Sequence, residues 1–118
     1  MECNFCVQIH APEGLRGIEP YLADCRLALT AYQSGYNGKV ILRAPADADF
    51  EWAMDSSDHP GMFASGFITG EPLVAEARLR TLSAALRMAR FPHRILLDDP
   101  QGNLYASIEH AWSPEGAP

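Results

Sequence analysis

Three cysteines and four histidines are the residues of this chain with the widest chemical reach. Cys3 and Cys6 stand in the C-x-x-C spacing used by zinc knuckles and by thiol–disulfide exchange. Either use needs a tight turn, because both sulfurs must converge on one metal or one bond. The surrounding residues predict the opposite. Phe5, Val7, Ile9 and Ala11 alternate with Cys6, Gln8 and His10, the period of a half-buried strand over residues 5–11. Residues three apart on an extended chain point to opposite faces. Cys3 then shares the buried face with Phe5 and Cys6 takes the other, so the pair reads as two unrelated thiols. Cys25 falls on an apolar helical stripe and reads as core. No further C-x-x-C completes a ligand set, and neither a metal nor a cofactor is expected.

The histidines are His10, His59, His93 and His110, and no two have the four-residue spacing of a helical metal site. His10 lies on the Cys6 side of its strand but roughly 13 Å along it, at about 3.3 Å per residue. His110 alternates with Leu104, Ala106, Ile108 and Trp112, which turns it to the apolar side near a strand end. An imidazole there can line a pocket or move a proton near neutral pH. Its neighbour Glu109 points the other way and is a poor partner. Dinucleotide, phosphate-loop and nucleophile-elbow motifs are absent, and no catalytic residue is assigned.

Asp47, Asp49, Glu51, Asp55 and Asp58 put five acids into twelve residues without a base. Their order is not that of a calcium loop. They predict a solvated hairpin face, or a docking surface for a basic protein with Phe50 and Trp52 as anchors. The candidate binding residues are therefore Glu51, Trp52, Asp55, Asp58 and His59 on this hairpin, with His110 and Trp112 at the far strand end. Arg80, Arg87 and Arg90 read as a solvated helix face.

The elements that must position these groups follow from periodicity. Ile18, Leu22, Cys25, Leu29 and Tyr32 make one stripe of a helix from Glu19 to Gln33 that starts at Pro20. Residues 39–44 and 50–55 form a hairpin, and 62–69 another strand. Pro72 opens a helix over Glu71 to Arg90 with Ala75, Leu79, Leu82, Leu86 and Ala89 buried. Residues 94–97 and 104–112 flank the turn-rich Asp98–Asn103. The string is β-α-β-β twice, and the Glu-Pro openings at 19–20 and 71–72 suggest a duplication. The expected fold is two-layer α+β, a mostly antiparallel sheet with two helices on one face, either ferredoxin-like or a pair of β-α-β-β modules. Residues 1–112 form one domain and 113–118 a flexible tail.

With 118 residues the chain can bury a core without staples. Its formal net charge is −6, and Lys39 is the single lysine. That balance argues against nucleic-acid binding, which is driven by neutralised phosphates. No leader-like or membrane-length apolar run is visible, and the thiols read as reduced in a cytoplasmic setting. The arginine excess and the many alanines fit a GC-rich bacterial source. Small size, acidity and the lack of a motif favour a non-catalytic interaction protein of the inhibitor, immunity or accessory type. A small-ligand-binding domain with a cleft lined by Trp52, Trp112 and His110 comes next, then a cofactor-free isomerase or cyclase. A homodimer would cover the edges the hairpins leave.

Overall fold

The computed structural model describes residues 1–10, 20–21, 30–33, 40–43, 52–56 and 63–112, with the backbone alone at 30–33, 40–43, 52–56 and 63. In chain order the elements are β1 (Glu2–Ile9), β2 (Thr30–Gln33), β3 (Val40–Arg43), β4 (Trp52–Ser56), β5 (Phe63–Thr69), α1 (Pro72–Met88), β6 (His93–Asp98) and β7 (Leu104–His110). The seven strands form one sheet in the order β2-β3-β4-β5-β1-β6-β7. Every neighbouring pair is antiparallel. The protein is thus a small α+β fold with one described helix.

β1 is central. Cys3, Phe5, Val7 and Ile9 are buried while Cys6 and Gln8 are half-buried, the alternation its sequence predicts. The strand starts earlier than residue 5 because Cys3 extends the apolar face, and it stops at Ile9. Ala64 and Ile68 of β5, Ile95 and Leu97 of β6 and Ile108 of β7 continue that face. The apolar stripe of α1, Ala75, Leu79, Leu82 and Leu86, is fully buried against it. The reverse face carries the exposed Asn4, Ser65, Ser107 and Glu109.

Two expectations are corrected. Thr30–Gln33, read as the last turn of a helix, is a strand paired with β3 from Thr30↔Arg43 to Gln33↔Val40. Thr30 and Tyr32 are strand formers, and cross-strand pairing overrides a helical period carried by a few apolar residues. Pro20 and Tyr21 are helical, as the proline predicts, and residues 22–29, expected to continue a helix, lie outside the described residues. Leu104, expected on the apolar side, is 63% exposed. The ladder shifts register between Leu97 and Asp98, pairing Leu97 with Ala106 but Asp98 with Leu104. One extra residue in β7 makes a bulge and turns Leu104 to the other face.

α1 ends in a Schellman motif. Phe91 N–H donates to Leu86 O at 2.9 Å and Arg90 N–H to Arg87 O at 3.0 Å. The motif needs a left-handed residue, and Arg90 supplies it with φ 65°. A side chain there is strained where glycine is not. Arg90→Gly is expected to raise stability by about 0.5–1 kcal/mol, against the cost of a more flexible unfolded chain. A melting temperature equal to or below that of the parent would contradict this. In the β6–β7 connection, Asp99 Oδ1 accepts from Gln101 N–H at 3.0 Å and Asn103 N–H at 2.9 Å. Gly102 takes the φ of 88° that closes the turn.

Candidate functional site

Three of the four histidines gather at one end of the sheet. The register sets Ile9, His93 and His110 in one row across β1, β6 and β7. His10 follows immediately after β1, and its N–H donates to Pro92 O at 3.0 Å. The His93 and His110 rings lie 5.9 Å apart between centroids, tilted by 43°. Past β7, Ala111 adopts φ 51° and folds the chain back, so Trp112 stacks on His10 at 4.4 Å and 14°. Trp112 Nε1 is buried there with no hydrogen-bond partner among the described residues.

α1 contributes Ser83. Its Oγ is 2.7 Å from His93 Nε2, and His93 Nδ1 is 2.8 Å from Phe91 O. A carbonyl oxygen only accepts, so Nδ1 carries the proton and Nε2 accepts from the Ser83 hydroxyl. That is the hydrogen-bond order of a nucleophile and its base, with a backbone carbonyl where a carboxylate would orient the ring. Burial argues against such a use. His93 is fully buried and Ser83 only 8% exposed. Burial holds the imidazole below its ordinary pKa, and His110 adds to the effect against the opposing hydrogen bond to Phe91. A base sealed from solvent, with no carboxylate among the described residues to stabilise its cation, is a poor acceptor of a substrate proton. The pair's work is to tie α1 to β6.

The cysteines diverge as the alternation requires. Cys3 is buried on the helix side, its Sγ donating to Gly70 O at 3.6 Å, while Cys6 is half-buried on the other side. Burial raises both thiols above their ordinary pKa, assisted by Asp99 at Cys3 and Asp98 at Cys6. Both therefore stay protonated at neutral pH and react slowly. Among the described residues no group of three or more His, Cys, Asp or Glu could hold a metal ion. None of the described helices is long and apolar enough to cross a membrane.

Of the residues singled out from sequence, His110 and Trp112 meet at this cluster. Trp52 and Asp55 lie on β4, paired with buried Ile68 and exposed Ser65 respectively. Glu51, Asp58 and His59 lie outside the described residues. Sequence reasoning passed over Ser83 and His93. The signals were there: Ser83 stands four residues after Leu79 on the buried stripe, and His93 has the parity of Ile95 and Leu97. Arg80, Arg87 and Arg90 are exposed, and Arg80 pairs with Glu76 at 2.7 Å.

No protein-family model matches the chain, and neither a curated protein nor a solved structure matches it.

Proposed function

We propose that this chain is a small non-catalytic interaction protein, working in the cytoplasm through its acidic β3–β4 region on a basic protein partner. The supporting observation is the fate of Ser83 and His93. Among the described residues, the pair with the order of a nucleophile and base is closed inside the core and spent on holding the helix. The partner surface rests on the sequence, where Glu51, Trp52, Asp55, Asp58 and His59 combine charge with an aromatic anchor. The proposed core is ferredoxin-like. The order β4-β5-β1-β6, with α1 joining β5 to β6, supports it, and the helix expected from Glu19 onward would complete it.

Affinity capture with tagged protein is expected to retain a basic partner in stoichiometric amount, and Asp55→Lys with Asp58→Lys to reduce its retention at least tenfold. Equal retention by that double variant rules the surface out. Stoichiometric acylation of Ser83 by an activated ester would instead show an accessible nucleophile and end the non-catalytic reading. A second reading, small-ligand binding beside His110 and Trp112, is favoured by the indole N–H, which has no acceptor among the described residues. A compound acting there raises the melting temperature of the parent and leaves that of Trp112→Phe unchanged.

A further inference from the structure

We propose that the outward face of α1 is a self-association surface, on which two copies of this chain pair their α1 helices antiparallel about a two-fold axis between residues 80 and 81. The inference is independent of the acidic partner surface proposed above. A helix that covers a sheet ordinarily turns charged and polar residues to water. α1 departs from that pattern. Its buried stripe is Ala75, Leu79, Leu82 and Leu86. At 3.6 residues per turn, Leu73, Ala77, Ala84 and Met88 fall within about 60° of one another, directly opposite that stripe. All four are exposed, Leu73 by 69% and Met88 by 86%. A lone exposed leucine is ordinary, but four apolar residues in one row along a 17-residue helix mark a contact surface.

The order of the row selects the occupant. It reads large, small, small, large from either end, with spacings of four, seven and four residues. Laid antiparallel on a second copy, Leu73 meets Met88 and Ala77 meets Ala84, and each contact occurs twice. A two-fold interface requires that self-complementarity. The alanines near its centre let the two helices approach to the short end of the usual range of about 8–10 Å.

Charge fits the same register. Glu76, Arg80 and Arg87 share one flank of the row. In the antiparallel pair Arg87 stands two positions, about 3 Å along the axis, from Glu76 of the other copy. Arg80 donates both of its bonds to Glu76 Oε2, at 3.0 and 2.7 Å, which leaves Oε1 for that guanidinium. Arg87 has no ion pair among the described residues. Arg80 falls beside its own counterpart, each neutralised by its Glu76. A contact confined to one helix per copy falls below the roughly 1,200 Å² of stable interfaces, so the expected dissociation constant is on the order of 100 µM. At the micromolar concentrations of unfolding measurements the chain is then monomeric, and Leu73 is simply exposed.

The test is sedimentation equilibrium of the full chain between about 10 µM and about 1 mM, in about 0.15 M salt to screen the net charge of −6. The mass is expected to move from one chain toward two over that range. Ala84→Glu exchanges one good helix former for another at an exposed position and keeps the fold, checked by its circular dichroism, but should weaken association at least tenfold. Arg87→Glu and Glu76→Arg should each weaken it, since each sets like charges face to face, and the two combined should associate more tightly than either alone. A chain that is monomeric at the top of the range overturns the proposal. So does a dimer indifferent to Ala84→Glu, which would put the contact on a sheet edge or another face, or a double variant no tighter than both single ones.

Discussion

His93→Ala is expected to lower the stability of this protein by about 3–5 kcal/mol, measured by urea unfolding at pH 7.5. The side chain is fully buried, and truncation leaves a cavity with a cost of about 2–5 kcal/mol at comparable core sites. It also strips the Phe91 carbonyl of a donor and Ser83 of its acceptor, and an unsatisfied buried group costs about 1–3 kcal/mol. Local relaxation and water recover part of that total. Since small domains are stable by about 5–15 kcal/mol, the variant sits near the edge of folding. His93→Gln keeps one donor and one acceptor and is expected to lose less than half as much. A loss below 1 kcal/mol for alanine would mean that the Ser83–His93 tie carries little.

The same residue sets a pH dependence. Its folded pKa lies below the unfolded value of 6.5. As pH falls through 6.5 the unfolded chain takes up a proton that the folded imidazole refuses, so acid favours unfolding. The stabilising contribution is complete above that value and declines below it until the folded ring also protonates. One proton of difference limits the slope to about 1.4 kcal/mol per pH unit. The parent should therefore lose stability between pH 7.5 and 5.5, above the range where most carboxylates titrate. His93→Gln should show a shallower profile. Parallel profiles for the two would assign the acid sensitivity elsewhere.

Leu82→Ala should cost about 2–5 kcal/mol, the second large effect. Leu82 is fully buried in the middle of α1, beside Ser83, within the stripe that covers the sheet. Alanine is the better helix former, so helix propensity opposes the loss and cannot cause it. Leu82→Met nearly conserves volume and should cost less than about 1.5 kcal/mol. Leu73, on the same helix but 69% exposed, is the control, and its alanine variant should stay within about 0.5 kcal/mol of the parent. Comparable losses at positions 73 and 82 would refute the assignment of the buried face.

The contrast between those leucines was legible in the residues themselves. A 3.6-residue period continues through α1, and proline marks its start, so the observed Pro72–Met88 lies within the expected Glu71–Arg90. β1 was equally open to reading, including the divergence of Cys3 and Cys6, because alternation alone assigns faces. β2 was not. Cys25, Leu29 and Tyr32 sustain a helical period up to a segment whose conformation is decided by β3, a partner that periodicity does not contain. The bulge before Ala106 is another case, since one inserted residue reverses the parity that placed Leu104 inside. The histidine cluster was half legible. Parity gives the side to which His93 and His110 turn, but only the register between strands makes them partners. The approach of His10 to Trp112 depends on where two distant chain segments end.

The position of β1 has a consequence for synthesis. Its two neighbours are the fifth and sixth strands of the chain, and its Gln8 is bonded by Arg94, 86 positions later. At about 5–20 residues per second, this first strand leaves the ribosome roughly ten seconds before the second of its neighbours exists. Through that interval Phe5, Val7 and Ile9 have no sheet to join, and the hairpins downstream can assemble without them. The nascent chain therefore spends its growth as a sheet missing its middle, closing only when the last third is complete. Moving β1 by circular permutation to follow β7 would reverse that order and shorten the time its apolar face waits uncovered.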